Sequence, residues 1–168
     1  MITTGRKWLA LSLVLAVLVL DHVSKALILD NFLFGQRMPI LPFFDLTLAF
    51  NEGIAWSFFS NMGDMAQPVF GMISLVISIA VLYFFRNEQR LVAVVGWSLV
   101  VGGALGNAID RFLPARPGVV DFLLFYQLPV INYFPIFNFA DVAINLGFAF
   151  VLYDMLFAPA SRSGEVNR

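Results

Sequence analysis

Two stretches of this chain, 68–85 and 91–109, contain no charged residue, and each is long enough to cross roughly 30 Å of hydrocarbon as a helix. Inside a bilayer every backbone N–H and C=O must be satisfied within the protein, so such a run folds as a spanning helix. Two further runs carry a few charges each. One covers about 8–29 and contains Asp21, His22 and Lys25; the other covers about 139–158, with Asp141 near its start and Asp154 near its end. With the third run taken to 111, the expected spans are 8–29, 68–85, 91–111 and 139–158, all within one membrane-embedded domain, 1–168. Composition agrees: hydrophobic residues make up 60% of the chain, charged residues 12%, and the mean hydropathy is +0.86. The chain reads as an all-α integral membrane protein.

Four spans put both termini and the turn at 86–90 on one side, and the segments 30–67 and 112–138 on the other. The first side holds Arg6, Lys7, Arg86, Arg90, Arg162 and Arg168, against Arg37, Arg111 and Arg116 on the second. Lysine and arginine favour the cytoplasmic side, so the termini are expected there. Arg6-Lys7, the apolar run and Ser24-Lys25-Ala26 superficially match a cleavable signal peptide. Asp21 and Lys25 stand just before that would-be site and argue for a retained first helix.

The outer segments are unusually aromatic. Of nineteen phenylalanines, seven lie in 30–67 and six in 112–139, which predicts segments lying on or in the membrane interface. Leu46, Leu48 and Phe50 alternate with Asp45, Thr47, Ala49 and Asn51, and Ile54, Trp56 and Phe58 continue the series beyond Gly53. This is strand periodicity with glycine at a bend or bulge, and it predicts a small sheet with one apolar and one polar face. The tail after Pro159 is expected to be disordered.

Several chemistries are excluded early. The chain has no cysteine, which removes disulfides, thiolate metal sites and a cysteine nucleophile, and its single histidine, His22, makes a histidine-based zinc site or a Ser-His-Asp triad hard to assemble. A formal charge of -1 gives no sign of nucleic-acid binding.

Carboxylates, in contrast, gather at one level. Asp21 lies thirteen residues past Trp8 and Asp110 nineteen past Leu91, which at 1.5 Å per residue places them roughly 20 and 28 Å from the cytoplasmic ends. Asp141 opens the last span from the same outer edge, and Asp121 precedes it in the outer segment. Carboxylates beside hydrocarbon are costly and usually functional. Each also has a plain structural reading. Asp21 and Lys25 have the i, i+4 spacing of an ion pair. Asn107, Asp110 and Arg111 share a helical face beside small residues at 102–106 and suit a polar clamp between helices. Asn138 suits an N-cap with Asp141 three residues on. Asp121, after Pro117-Gly118, suits a turn, although Val119, Val120 and Phe122 beside it disfavour full solvation. The functional reading joins Asp121 and Asp141: a close pair cannot readily ionise together, so one keeps a proton while the other acts as a base towards water.

Five strings, in order, resemble one known family, the lipoprotein signal peptidases or signal peptidase II. They are Asp21-His22-Val23-Ser24-Lys25; Asn51-Glu52-Gly53-Ile54-Ala55-Trp56-Ser57-Phe58; Gly102 through Arg111; Val119-Val120-Asp121-Phe122; and Phe137-Asn138-Phe139-Ala140-Asp141. The resemblance implies an aspartyl endopeptidase of the bacterial inner membrane that removes the signal peptide from a prolipoprotein, just before its diacylglyceryl-modified cysteine. It implies a catalytic dyad of Asp121 and Asp141. Supporting or substrate-binding residues are Asp21, Lys25, Asn51, Gly53, Asn107, Asp110, Arg111, Asn138 and Ala140. It further implies no metal or other cofactor, a monomer in contact with membrane lipid, a periplasmic β-cradle and short helix over the site, and inhibition by globomycin between the aspartates. His22, Glu52 and Trp56 depart from the common pattern and bear on substrate and inhibitor preference. The rival readings are a small transporter or proton relay, whose sites usually lie near the midplane, and a purely structural subunit.

Overall fold

The computed structural model describes residues 3–53, 65–114, 116–126 and 134–157. In chain order the elements are α1 (Thr4–Asn31), β1 (Arg37–Leu41), β2 (Phe44–Asn51), α2 (Ala66–Phe85), α3 (Leu91–Phe112), β3 (Val119–Phe125) and α4 (Phe139–Phe157). All four helices are long and apolar enough to cross a membrane. Their outward surfaces carry Leu15, Val76, Phe84 and Leu156, whereas Asp21, Lys25, Ser78, Ser98 and Asp110 are buried. Apolar outside and polar within is the arrangement that lipid as solvent selects.

α3 is the centre of the bundle, packing against α1, α2 and α4. Glycine makes the closest of these approaches possible. A Cβ on Gly96 would stand 2.8 Å from the Gly147 carbonyl, and one on Gly147 would stand 2.6 Å from that of Gly96. Facing glycines let α3 and α4 touch backbone to backbone, which matters in lipid because water supplies no drive to press helices together.

The sheet is antiparallel, in the order β1-β2-β3. Its core joins Leu48, Val120, Phe122 and Leu123 to Ile28 near the C-terminal end of α1. The strand predicted around 45–51 is present, but its alternation is interrupted. The register of β2 against β3 shifts between Leu46 and Ala49, so that Thr47 and Leu48, adjacent in sequence, are both buried. The predicted polar face is therefore not simply solvated. Asp45 is buried, because β2 is the middle strand, and its carboxylate accepts the Tyr126 hydroxyl at 2.9 Å. Gly53 marks the bend with φ +74°, and the continuation at Ile54, Trp56 and Phe58 falls outside the described residues. The tail after Pro159 lies outside them too, and no short helix beyond α1–α4 occurs among those described.

β3 does the most to position the acidic residues. It runs Val119-Val120-Asp121-Phe122-Leu123-Leu124-Phe125, buried over nearly its whole length. The chain entering α4 pairs with it: Leu123 N–H donates to the Phe137 carbonyl at 2.8 Å, and Phe137 N–H returns a bond to Leu123 at 3.1 Å. The segment before α4 is thus held beside the strand that carries Asp121.

Candidate active site

The site rests on a buried ammonium. Lys25, 0% exposed, reaches the Asp21 carboxylate at 2.7 Å, the Asp110 carboxylate at 2.8 Å and the Asn107 side-chain carbonyl at 3.0 Å. An ammonium has three N–H donors, and here all three have acceptors. The remaining oxygens are also engaged. Asp21 Oδ1 accepts the Ala140 N–H at 3.0 Å, an otherwise orphaned donor in the first turn of α4. Asp110 accepts the Arg116 guanidinium and the Val120 N–H, the latter at 3.2 Å, and so fastens α3 to β3. Two carboxylates are balanced by Lys25 and Arg116, as a buried charge cluster requires. The ion pair foreseen for Asp21 and Lys25 and the clamp foreseen for Asp110 are both formed.

Above this foundation Asn107 turns the network towards Asp141. Its side-chain carbonyl accepts from Lys25, so its amide nitrogen is the free end, and it donates to Asp141 Oδ1 at 2.8 Å. Asn138 and Asp141 form a capping box: Asp141 N–H donates to Asn138 Oδ1 at 3.0 Å, and Asn138 N–H donates to Asp141 Oδ2 at 3.1 Å. The same Asn138 side chain donates from Nδ2 to Asp121 Oδ1 at 2.6 Å, with Asn107 and Val120 oxygens at 3.2 and 3.3 Å. The capping reading of Asp141 and its pairing with Asp121 are thus one structure, and a single asparagine touches both aspartates.

Asp121 is 3% exposed and sits opposite Ala49 of β2. Burial, and then the nearby charge of Asp141, push its carboxyl up to about 7, outweighing the hydrogen bonds from Asn138 and Asn51 and the pull of Lys25. Asn51 also accepts the Gly53 N–H at 3.0 Å, closing the turn that brings it to Asp121. Gly53 has no substitute here, because its φ is positive and a Cβ would stand 2.9 Å from the Phe70 ring. Arg111, on the face predicted for it, reaches across to α2, donating to Gln67 Oε1 at 2.8 Å, with its guanidinium 5.2 Å from the Phe70 ring centre. Ala140 is fully buried, its carbonyl against Gly103 of α3.

The two aspartates and the supporting residues named from the sequence thus lie in this network or against it, whereas His22 is exposed on α1 and Trp56 falls outside the described residues. Two that the sequence reading passed over also belong. Gln67 joins Arg111 to the Glu52 carbonyl, which it reaches at 2.7 Å, and Arg116 completes the Asp110 cluster. Neither carries a spacing signal, since each meets its partner only through the fold. Among the described residues, no group of three or more His, Cys, Asp or Glu side chains is arranged to hold a metal ion.

Fold and site define a multi-pass membrane protein with an acidic centre near one end of its bundle. The family model described as signal peptidase (SPase) II matches residues 13–157, and the chain belongs to that family of peptidases. Among its relatives, the lipoprotein signal peptidase of Photorhabdus laumondii is 35% identical over 98% of this chain and 96% of its own. That of Yersinia pseudotuberculosis serotype O:1b is 37% identical over 99% and 95%. A solved structure described as a bacterial membrane enzyme, at 1.9 Å resolution, superposes with a TM-score of 0.80 at 30% identity, covering 94% of this chain and 97% of that one. A second, at 2.3 Å, gives 0.76 at 29% identity over 99% and 96%.

Proposed function

We propose that this protein removes the signal peptide from bacterial prolipoproteins, hydrolysing the amide bond before the diacylglyceryl-modified cysteine with Asp121 and Asp141 as the catalytic pair. The observation that carries the reading is the Asn138 side chain, which bonds to both aspartates and holds them in one site. In this reading Asp121, whose carboxyl is pushed up to about 7, holds the shared proton. Asp141 is the base, since both its oxygens already accept N–H donors. A water between them gives a proton to Asp141 as its oxygen attacks the scissile carbonyl carbon. Asp121 then protonates the amide nitrogen as the C–N bond breaks. The signal peptide leaves as a carboxylic acid and the lipidated cysteine as a free amine, and the proton on Asp141 passes back to Asp121.

The proposed setting is the bacterial inner membrane, with one domain, 1–168, spanning at about 8–29, 68–85, 91–111 and 139–158. The termini are cytoplasmic, and 30–67 and 112–138 are periplasmic and cradle the substrate. The protein acts as a monomer among lipid, and globomycin-type inhibitors occupy the space between the aspartates. Asp21, Lys25, Asn107, Asp110 and Ala140 support the pair, while Asn51, Gly53, Arg111 and Asn138 shape the site around it. A site near the outer edge suits a substrate whose acyl chains stay in the bilayer while water reaches the amide.

The deciding experiment is cleavage of a lipidated substrate by the purified protein, without a gradient or partner. Asp121→Asn and Asp141→Asn should each fold and lose turnover by orders of magnitude, and the double variant should lose little more, because residues acting as one catalytic unit are not additive. Under a structural or transport role the parent itself would release no product. Near-native turnover by folded Asp141→Asn ends the aspartyl mechanism.

A further inference from the structure

The end of the bundle opposite the aspartates holds a cleft that the proposed reaction does not use. α1 and α2 both pack on α3, but among the described residues they do not pack on each other. Between them lies a cavity of about 390 Å³, walled by Leu11 and Val14 of α1, Leu82 and Phe85 of α2, and Trp97 and Val101 of α3. The Trp97 and Phe85 rings stack at 3.9 Å and make one wall firm and apolar. Ser98 also lines it, but its hydroxyl is already donated to the Val94 carbonyl at 2.6 Å. The interior therefore offers a guest no polar side chain in need of a partner.

The rim is different. Lys7 and Arg86 stand there, and neither forms a salt bridge among the described residues. Arg86 lies over the Tyr83 ring at 4.0 Å and donates to the Tyr83 carbonyl. Glu88 is the one carboxylate on the rim among the described residues, and it is already occupied. Its Oε1 accepts the backbone N–H groups of Gln89 and Arg90, each at 2.8 Å, and the Arg90 guanidinium lies 3.4 Å away. An apolar slot thus opens beneath two cations that have no carboxylate partner among the described residues.

We propose that this cleft holds an acyl chain of an anionic phospholipid, with the lipid phosphate between Lys7 and Arg86. The other occupants fit less well. A signal peptide would bring its positively charged start towards two cations. A second copy of the chain would set Lys7 and Arg86 against their own kind. An anionic headgroup instead gains from both charges while its tail lies against a lining that is almost wholly apolar below the rim. The leaflet is cytoplasmic if the proposed topology holds; the binding itself rests neither on that topology nor on the peptidase reading.

The test is native mass spectrometry of the purified full chain, titrated with phosphatidylglycerol and with phosphatidylcholine of the same chains. The parent should retain phosphatidylglycerol preferentially. Lys7→Gln and Arg86→Gln should each weaken that preference about fivefold, the effect of one basic residue near a lipid surface. Ala10→Trp, which fills the cleft from the α1 side, should abolish retention with both cations in place, and Leu82→Trp repeats the test from α2 should the first variant not fold. Asp141→Asn should bind lipid as the parent does, which keeps this result separate from the fate of the cleavage reaction. Equal retention of the two lipids overturns the proposal, as does an unchanged preference in the Lys7→Gln/Arg86→Gln double variant. Lipid retained by both tryptophan variants shows a headgroup adsorbed on the surface and overturns the cleft. A complex of two chains that excludes lipid assigns the slot to a second copy and overturns it as well.

Discussion

Asn138 separates two properties that usually travel together, because its oxygen caps a helix while its nitrogen bridges to Asp121. Aspartate caps a helix as well as asparagine does, but it has no N–H to give. Asn138→Asp should therefore keep most of the helix start while setting a second negative charge against Asp121. Cleavage should fall by orders of magnitude with a melting temperature closer to the parent's than that of Asn138→Ala, which loses the cap at about 1 kcal/mol in addition to the bridge. Assay and melting curves on both variants check this. Asp121 itself gives a prediction in pH. Its carboxyl is raised from 3.8 to about 7 in the folded protein, so folding favours the neutral form. The contribution to stability is full below about 3.8 and is lost as pH climbs to about 7, beyond which it changes no further. Asp121→Asn cannot ionise, so although inactive it should gain on the parent in thermal melts, with the difference widening across that window. A constant difference from pH 4 to 8 would sink this account. In the active parent, turnover should decline as Asp121 loses its proton near pH 7.

At the scale of elements, the contact between α3 and α4 decides whether Asn107 can reach Asp141. Gly103 faces the Ala140 carbonyl one turn below Asn107, and Gly96 faces Gly147 nearer the other end. Alanine at either place overpacks the interface, a change that costs about 1–3 kcal/mol. Gly103→Ala should also push the first turn of α4 away from Asn107. Melting points in detergent should fall by comparable amounts for Gly103→Ala and Gly96→Ala, while cleavage falls much further for Gly103→Ala; equal activities would deny the link. The sequence showed these elements unevenly. Four apolar helices were legible because bilayer thickness imposes their length, and the capping box was legible because Asn138 and Asp141 have its spacing. β3 was not recognised as a strand. Its run from Val119 to Phe125, apolar apart from Asp121, lacks alternation, since the strand is buried over nearly its whole length. The shift of register in β2 left no mark, because Thr47 and Leu48 fit an alternating pattern whether or not the strand bulges. Gln67 and Arg116 were invisible for a different reason: each acts on residues that only folding brings near.

At the scale of the whole molecule, the distribution of Lys and Arg predicts which way the bundle points, and the absence of cysteine makes the prediction simple to check. Cysteines placed singly at Gln36 and Asn87 should respond oppositely to a thiol reagent that cannot cross the inner membrane: label at 36 in intact cells, and at 87 only after the membrane is breached. The reverse pattern would invert the protein.

The buried ammonium also sets a birth order. Lys25 belongs to α1, while Asn107 and Asp110 belong to α3, which is made later, so until then Asp21 alone answers its charge. Until α3 emerges, the C-terminal part of α1 carries two donors in search of acceptors and is a poor guest of the bilayer interior. The late helix therefore completes the early one, and the nascent chain has no finished core before its third crossing. α4 then arrives with an orphaned Ala140 N–H, for which Asp21 is already in place. The acidic centre closes only once α4 has joined the other three helices.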